Sequence, residues 1–233
     1  MPELTPIELE ALRLSLRVGL WGVALSLPVA VPLAVLLARR EFPGKQLLNG
    51  LVYLPLILPP VATGYVLLLM LGRRGPIGAW LEDSFGLVLA FRWTGAAVAA
   101  AVMGFPLMVR AIRLSVEAID PRIEVAAGTL GAGAAWVFLT VTLPLAIPGI
   151  IAGTILSFAR GVGEFGATIT FVSNIPGETR TLPIAIHTFL QVPGGEAAAL
   201  RLTVLAIVLS MLAIIASEVV ARRLHRRLQG HEA

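Results

Sequence analysis

Long apolar segments alternate with short polar ones along the chain. Charged residues are scarce inside the apolar segments and collect at their ends, as at Arg39 and Arg40. About 20 apolar helical residues cross a hydrocarbon core of about 30 Å, and each long segment reaches that length or comes close to it. We therefore predict membrane-spanning helices over residues 12–37, 47–71, 94–109, 143–159 and 197–221.

Prolines interrupt the second predicted span. Leu54-Pro55 and Pro59-Pro60 should break or kink this helix, because proline removes a backbone donor. At membrane depth, backbone groups without partners are tolerated only against protein or a water-filled cavity. Residues 58–65, which include Thr63 and Gly64, are therefore either a wall of a pathway or an ordinary packing kink.

The polar stretches between the spans are predicted to be irregular. Residues 72–92 should form an exposed loop with one short helix, and residues 173–195, in which glycine and proline recur, a second loop. Arg110 and Arg113 should end the third span.

The fourth span continues into residues 160–171. Arg160 and Glu164 are four apart there and could pair on a helix, either within the membrane or at its outer surface. Hydroxyl groups follow the pair and could solvate a passing anion weakly. The candidate pathway residues are Pro59, Pro60, Thr63, Gly64, Arg160, Glu164, Thr168 and Thr170.

The composition indicates a membrane protein and excludes several kinds of site. Of 233 residues, 57% are hydrophobic and 14% charged, and the mean hydropathy is +0.88, which is more apolar surface than a soluble domain can hide. The absence of cysteine excludes disulfides and cysteine-ligated metals, and the three histidines are scattered. The formal charge of +4 comes with no basic face interleaved with aromatic residues, so nucleic acid is not an expected partner. We expect an all-α polytopic membrane protein, one domain over residues 1–233 in a lipid bilayer, without a cofactor.

Residues 119–150 differ from the rest of the chain in having a polar start between two apolar runs. Asp120-Pro121 is a helix start, and Glu124 meets the positive end of the helix dipole. Small and apolar residues then recur at helical spacing, namely Ile123, Ala126, Ala127 and Leu130. Gly131 begins a break, and a second short turn over residues 134–140 leads to the fourth span. We call residues 120–140 the elbow, a rigid protrusion suited to a groove on another protein.

The same stretch resembles the EAA loop of ABC-importer permeases. The matching residues are Glu124, Ala126, Ala127 and Gly131, followed by Leu143, Pro144, Pro148 and Gly149. In the strict pattern glutamate directly precedes the two alanines, whereas here Val125 lies between Glu124 and Ala126. Gly128 occupies a position that is often basic. The resemblance implies a type I importer permease fold and a coupling loop over residues 114–142 that docks on a cytoplasmic ATPase, with Asp120 at its helix start. The alternative is a plain cytoplasmic loop between two membrane helices.

Four further stretches resemble the molybdate-transport permease subunits of bacterial ABC importers, namely residues 42–65, 103–120, 157–183 and 191–196. This resemblance implies a homodimer with a pathway at its two-fold axis, a cytoplasmic ABC ATPase dimer and an external molybdate-binding protein, in the bacterial cytoplasmic (inner) membrane. The implied cargo is molybdate, and also tungstate, a dianion of nearly the same size. Sulfate, thiosulfate or another oxyanion is the alternative.

The chain itself is not expected to be an enzyme. It has no glycine-rich phosphate loop followed by lysine and serine or threonine, so ATP hydrolysis would reside on a partner. A secondary transporter stays open as an alternative, although only Glu164 could serve as its mid-span carboxylate. A membrane enzyme would need clustered acidic residues or histidines, whereas the acidic residues here are dispersed.

Basic residues at the span ends set the predicted orientation, because juxtamembrane lysine and arginine favour the cytoplasm. With five spans, the two termini lie on opposite sides of the membrane. A cytoplasmic elbow gathers most of the dense basic clusters on its own side. These residues are Arg39, Arg40, Lys45, Arg110, Arg113, Arg122, Arg222, Arg223, Arg226 and Arg227. We therefore expect the N-terminus outside and the C-terminus in the cytoplasm.

Overall fold

A computed structural model describes residues 4–129 and 131–229, with side chains as far as Val219, and the regular structure in this part of the chain is helical throughout. The helices are α1 (Pro6–Arg39), α2 (Lys45–Ile57), α3 (Pro60–Leu71), α4 (Pro76–Phe85), α5 (Trp93–Glu117), α6 (Pro121–Thr129), α7 (Ala134–Val137), α8 (Leu143–Val162), α9 (Gly166–Val172), α10 (Leu182–Leu190) and α11 (Glu196–Gln229). A π-helical turn, Phe138–Thr142, joins α7 to α8.

The predicted spans appear as continuous helices and one bent pair. Four helical segments are long and apolar enough to cross a membrane, namely α1, α5, Ala134–Val162 and Glu196–Val219. α2 and α3 pass that test together and are bent by 113° at the break between them, which gives up to five crossings. This confirms the all-α polytopic fold. Leu130 of the predicted elbow stripe, and the side chains of Arg222, Arg223, Arg226 and Arg227, lie outside the described residues.

α1 is longer than the predicted first span because its start is capped. Thr5 Oγ1 accepts a hydrogen bond from the Glu8 N–H at 3.4 Å, and the Thr5 N–H donates to Glu8 Oε2 at 2.7 Å. Pro6 follows at the first helical position, where its missing N–H is harmless. The helix then runs unbroken to Arg39.

α5 lies between α1 and α8 and forms the centre of the bundle. It runs parallel to α1, since Val18 packs with the start of α5 and Leu37 with its end. It runs antiparallel to α8. The contacts with α8 are close because they use small residues, as where Gly161 lies beside Ala100.

The third predicted span, α5, does not end at Arg110 and Arg113, as the sequence predicted, but continues to Glu117. Arg113 Nε donates to Glu117 Oε1 at 2.7 Å within the helix, and Arg113 Nη1 donates to Asn49 Oδ1 of α2 at 3.0 Å. The arginines therefore mark the end of the apolar part of the helix, while side-chain pairing carries the helix beyond it.

The second span breaks at one of the two predicted places only. Pro55 lies inside α2, whereas Leu58 and Pro59 have extended ψ angles of 145° and 132°. A residue that precedes proline is driven out of the helical region, and in Leu58-Pro59-Pro60 two successive residues meet that condition. The helix therefore does not break at Leu54-Pro55, and the break at Pro59-Pro60 is confirmed.

Residues 173–195, predicted to form a loop, contain a helix, α10, that the sequence did not predict. The Leu182 N–H at its start donates to Ser15 Oγ of α1 at 2.6 Å. Leu182 and Ala185 are buried against Ala11 and Leu202. Pro183 lies in the first turn of α10, where a proline is tolerated, and the other glycines and prolines of this stretch belong to the turns that enter and leave the helix.

α11 begins beside the start of α1. Arg201 Nη2 and Nε donate to Glu8 Oε1 at 2.8 and 3.0 Å, and the Glu8 side chain is fully buried. α11 then runs parallel to α1, since residues of both helices, such as Leu20 and Leu212, line one cavity. The chain therefore enters and leaves the bundle at opposite ends.

The close approach of α5 and α8 generates a prediction about stability. A side chain at Gly104 would collide with Ser157 of α8. Gly104→Ala should therefore lower the free energy of unfolding by about 1–3 kcal/mol, the usual cost of overpacking. The measurement is thermal unfolding of the purified chain in detergent. Gly50→Ala is the matched control, because nothing lies within 4 Å of a Cβ there. Equal melting temperatures of the two variants would contradict the prediction.

Candidate functional site

The elbow has the helix-turn-helix geometry that the sequence predicts. Asp120 Oδ1 accepts from the Arg122 N–H at 2.9 Å, and Pro121 begins α6. Gly131 has φ of +88°, a left-handed conformation that favours glycine, and its N–H donates to the Gly128 carbonyl at 3.0 Å. α7 then begins at Ala134, earlier than the predicted fourth span, and the chain stays helical through the π turn into α8.

The elbow exposes several large apolar side chains. Val125 is 65% exposed and Trp136 59%, and Ile123 and Leu139 are exposed to a similar degree. Of the described residues of α6, none is buried. Ala126 is exposed and Ala127 half-buried. A patch of large apolar side chains on a protruding segment is typical of a protein contact.

Glu124 points back toward the bundle. Arg39 Nε, at the end of α1, lies 3.1 Å from Glu124 Oε2, and Thr142 Oγ1, in the π turn, donates to Glu124 Oε1 at 2.8 Å. Arg39 Nη2 also donates to the Ile119 carbonyl at 3.0 Å. The sequence predicted that Glu124 lies in the first turn of α6, at the positive end of the helix dipole. It did not predict these partners, because Arg39 is 85 residues away in sequence.

The remaining residues of the predicted coupling motif position α8. Leu143 and Pro144 form its first turn, and Pro148 lies within it without ending it. Gly149 is buried where a side chain would collide with Ser115 of α5. Of the residues in this half of the motif, Gly149 is buried, Leu143 and Pro148 are half-buried and Pro144 is exposed.

The candidate pathway residues come together where two helices are broken. The second span breaks before α3, and the fourth breaks between α8 and α9, at Gly163 to Phe165. The two breaks touch, since a Cβ on Gly166 would lie 2.7 Å from Pro60 Cβ. Gly64 lets α3 approach α9 closely, with a Cβ position 2.5 Å from the Ala167 carbonyl oxygen.

Arg160 and Glu164 form the predicted pair, but not on one helix. α8 ends at Val162, so Glu164 lies in the break. Arg160 Nη1 is 2.5 Å from Glu164 Oε2, and Glu164 Oε1 accepts from the Ala167 N–H at 2.8 Å, which caps α9. The Glu164 side chain is 1% exposed and that of Arg160 28%. The carboxylate is therefore fixed, while the guanidinium keeps a free face.

The threonines at this site differ in their environment. Thr63 and Thr168 are buried, and Thr63 Oγ1 has no hydrogen-bond partner among the described residues. Thr170 Oγ1 donates to the Gly166 carbonyl at 2.8 Å. His187, one of the three histidines that are scattered in the sequence, also lies at this site. The centroid of its ring is 5.0 Å from that of Phe165, which lies in the break between α8 and α9. No sequence pattern links these two residues.

Within the described part of the chain, no group of three or more histidine or acidic side chains is placed to hold a metal ion.

Comparison with known proteins identifies a family to which this chain is similar. The family model for the binding-protein-dependent transport system inner membrane component matches residues 30–226. The chain is 58% identical over 219 residues to the molybdenum transport system permease protein ModB of Escherichia coli K12, covering 94% of this chain and 96% of that protein. It is 52% identical over 228 residues to the protein of the same name from Haemophilus influenzae, covering 97% and 100%.

A solved structure shares the fold. A bacterial alginate ABC transporter, solved with a periplasmic protein bound to an alginate pentasaccharide, superposes with a TM-score of 0.71 at 16% identity, covering 94% of this chain and 80% of that one. The similarity to these permeases extends along nearly the whole chain, and the fold agrees with it. The chain belongs to the family of binding-protein-dependent transport system inner membrane components.

Proposed function

We propose that this chain is the permease subunit of an ATP-driven importer of molybdate across the bacterial cytoplasmic membrane. The observation that carries the proposal is 58% identity along 94% of the chain to a molybdenum transport system permease protein. Tungstate should be carried as well, because it is a tetrahedral dianion of nearly the same size and charge.

The exposed elbow is the proposed contact with a cytoplasmic ATPase. Its large apolar side chains are exposed, with Trp136 59% exposed and Val125 beside the cleft that faces α1. Its small residues Ala126 and Ala127 allow a close fit in a groove. ATP hydrolysis takes place on that partner, and closure of an ATPase dimer would draw two elbows together and tilt the attached helices.

The contact between the two broken spans is the proposed pathway wall. Pro59, Pro60 and Gly163 are exposed there, so one subunit leaves this wall open on one side. A second copy related by a two-fold axis would supply the opposite wall, which supports a homodimer. Arg160 offers a partly exposed cation to a passing dianion, while Glu164 limits how tightly that anion is held. An external binding protein would then provide the selection.

The orientation follows from the basic residues at the elbow end of the bundle. Arg39, Arg40, Lys45 and Arg113 all lie at this end with the elbow. We propose that it faces the cytoplasm, with the start of α1 outside and α11 leading to a cytoplasmic C-terminus.

Uptake by the reconstituted complex tests the cargo. Proteoliposomes that contain this chain, its ATPase and its binding protein should accumulate labelled molybdate when ATP is supplied, and tungstate should compete. ATP-dependent sulfate uptake without molybdate uptake would contradict the cargo and keep the importer. Molybdate uptake that needs no ATPase would instead favour a secondary transporter.

Glycine substitutions test the docking role of the elbow. Gly131→Val should weaken co-purification of the ATPase by about ten-fold, because a left-handed backbone costs a non-glycine residue about 1–2 kcal/mol. Gly133→Val is the matched control, since Gly133 has φ of −68° and both sites have nothing within 4 Å of a Cβ. Equal ATPase retention by the two variants would contradict a role for the shape of this turn.

A larger side chain tests the docking surface itself. Ala127→Trp should block a close-fitting groove and abolish ATPase retention, while Ala197→Trp, at an exposed position at the opposite end of the bundle, should retain it. If Ala127→Trp binds the ATPase as the unsubstituted chain does, the elbow is not the contact.

Single-cysteine labelling tests the orientation, because the chain contains no native cysteine. Gln46→Cys, beside the elbow end of α1, should react with an impermeant maleimide only after cells are permeabilised. Pro76→Cys, at the start of α4, should react in intact cells. The reverse pattern would overturn the proposed orientation.

A further inference from the structure

The elbow is joined to the bundle by few contacts. In the described part of α6, Glu124 is the residue whose side chain hydrogen-bonds beyond its own turn of helix. Beside it, α1 and the elbow enclose a cleft of about 840 Å³ lined by Leu36, Val125 and Phe138, among others. Because this space is not filled by packed side chains, polar contacts carry the connection.

Among the described residues of the elbow and its neighbours, three side chains make that connection, and we refer to Arg39, Glu124 and Thr142 together as the brace. The Arg39 guanidinium binds the Glu124 carboxylate and, through Nη2, the Ile119 carbonyl that follows α5. Thr142, buried at the start of α8, donates to the same carboxylate. The brace therefore joins the ends of α1 and α5 to the elbow and to α8.

The contacts of the brace are partly shielded from water. The side chains of Arg39 and Glu124 are 18% and 19% exposed. A hydrogen bond between charged groups in such a place is stronger than one between neutral groups or one at an open surface. The segment around it is more adaptable, because Gly131 and Gly133 flank a break and the adjoining π turn has wide hydrogen-bonded loops.

We propose that Arg39 is a positioning residue, which holds Glu124 so that displacement of the elbow moves α1 and α8 together. With the brace intact, a load on α6 passes to the end of α1 through the ion pair. Without the brace, α6 rotates about the break at Gly131 and Gly133, and α1 does not move with it. This inference rests on the proposed docking of an ATPase at the elbow, and it gives Glu124 an internal role in place of a contact with that ATPase.

Neighbouring arginines provide a matched experiment. Arg39→Gln removes the ion pair, whereas Arg40→Gln removes an exposed arginine with no ion pair among the described residues. Each is purified with the ATPase and reconstituted with the binding protein, and molybdate uptake and ATP hydrolysis are measured in the same vesicles. Arg39→Gln should retain the ATPase and hydrolyse ATP within about two-fold of the unsubstituted complex, while molybdate carried per ATP falls about ten-fold. Arg40→Gln should leave that ratio unchanged.

Further variants separate positioning from folding. Thr142→Val removes one hydroxyl at nearly constant shape and should lower molybdate per ATP by about three-fold, and it decides the question if Arg39→Gln does not accumulate. The charge exchange Arg39→Glu with Glu124→Arg should recover part of the ratio that either change alone loses, which general destabilisation would not do.

The outcomes distinguish this inference from the proposed function. An unchanged ratio in both Arg39→Gln and Thr142→Val would overturn the brace while the importer stands. Loss of ATPase retention in Arg39→Gln would also overturn it, because the residues would then act in docking. Failure of the unsubstituted chain to bind an ATPase at all would contradict the proposed function itself.

Discussion

The close approach of α5 to α1 and α8 is the interaction on which the rest of the structure depends. In a membrane, lipid tails are as apolar as leucine, so burial of apolar side chains gives little drive for helices to associate. What remains is contact between closely spaced backbones, and this chain achieves it with small residues. Ala96, Ala99 and Ala100 are buried on α5, and Gly161 and Gly149 face it from α8. The short helices are placed by this bundle.

A second constraint on the two broken spans is that backbone groups within a membrane need hydrogen-bond partners. At the first break, the Ala62 and Thr63 N–H groups donate to the Pro59 carbonyl at 2.9 and 3.2 Å. At the second, the Glu164 side chain receives the Ala167 N–H. Each break thus has hydrogen-bond partners of its own, and the two breaks contact each other on one side while Pro59, Pro60 and Gly163 stay exposed. An irregular pathway wall is affordable only where such local capping exists.

Local chemistry determined how much could be predicted from the sequence. The start of α6 at Asp120-Pro121, the turn at Gly131 and the break at Pro59-Pro60 each depend on residues adjacent in sequence, and each was predicted correctly. α10 was missed because Ser15 and Ala11, which contact it, come from α1 at the other end of the sequence. The same reason hid the partners of Glu124. Pairings over long sequence separations leave no periodic signal, so the motif identified Glu124 but not what it binds.

The two ends of the predicted coupling motif differ in how they are held, and the difference bears on mechanism. Gly149 is fixed by close packing against Ser115 and Ala111 of α5, which permits little movement. α6 is held by an ion pair and a hydroxyl group beside an open cleft. A charge-assisted contact tolerates rotation of its partners while remaining attractive, whereas interdigitated side chains do not. Movement imposed on the elbow would therefore turn α6 about the brace and act on α1 and α8 as whole helices. In the coupling that we propose, displacement of the elbow reaches the broken spans through the Arg39–Glu124 ion pair and the closely packed bundle.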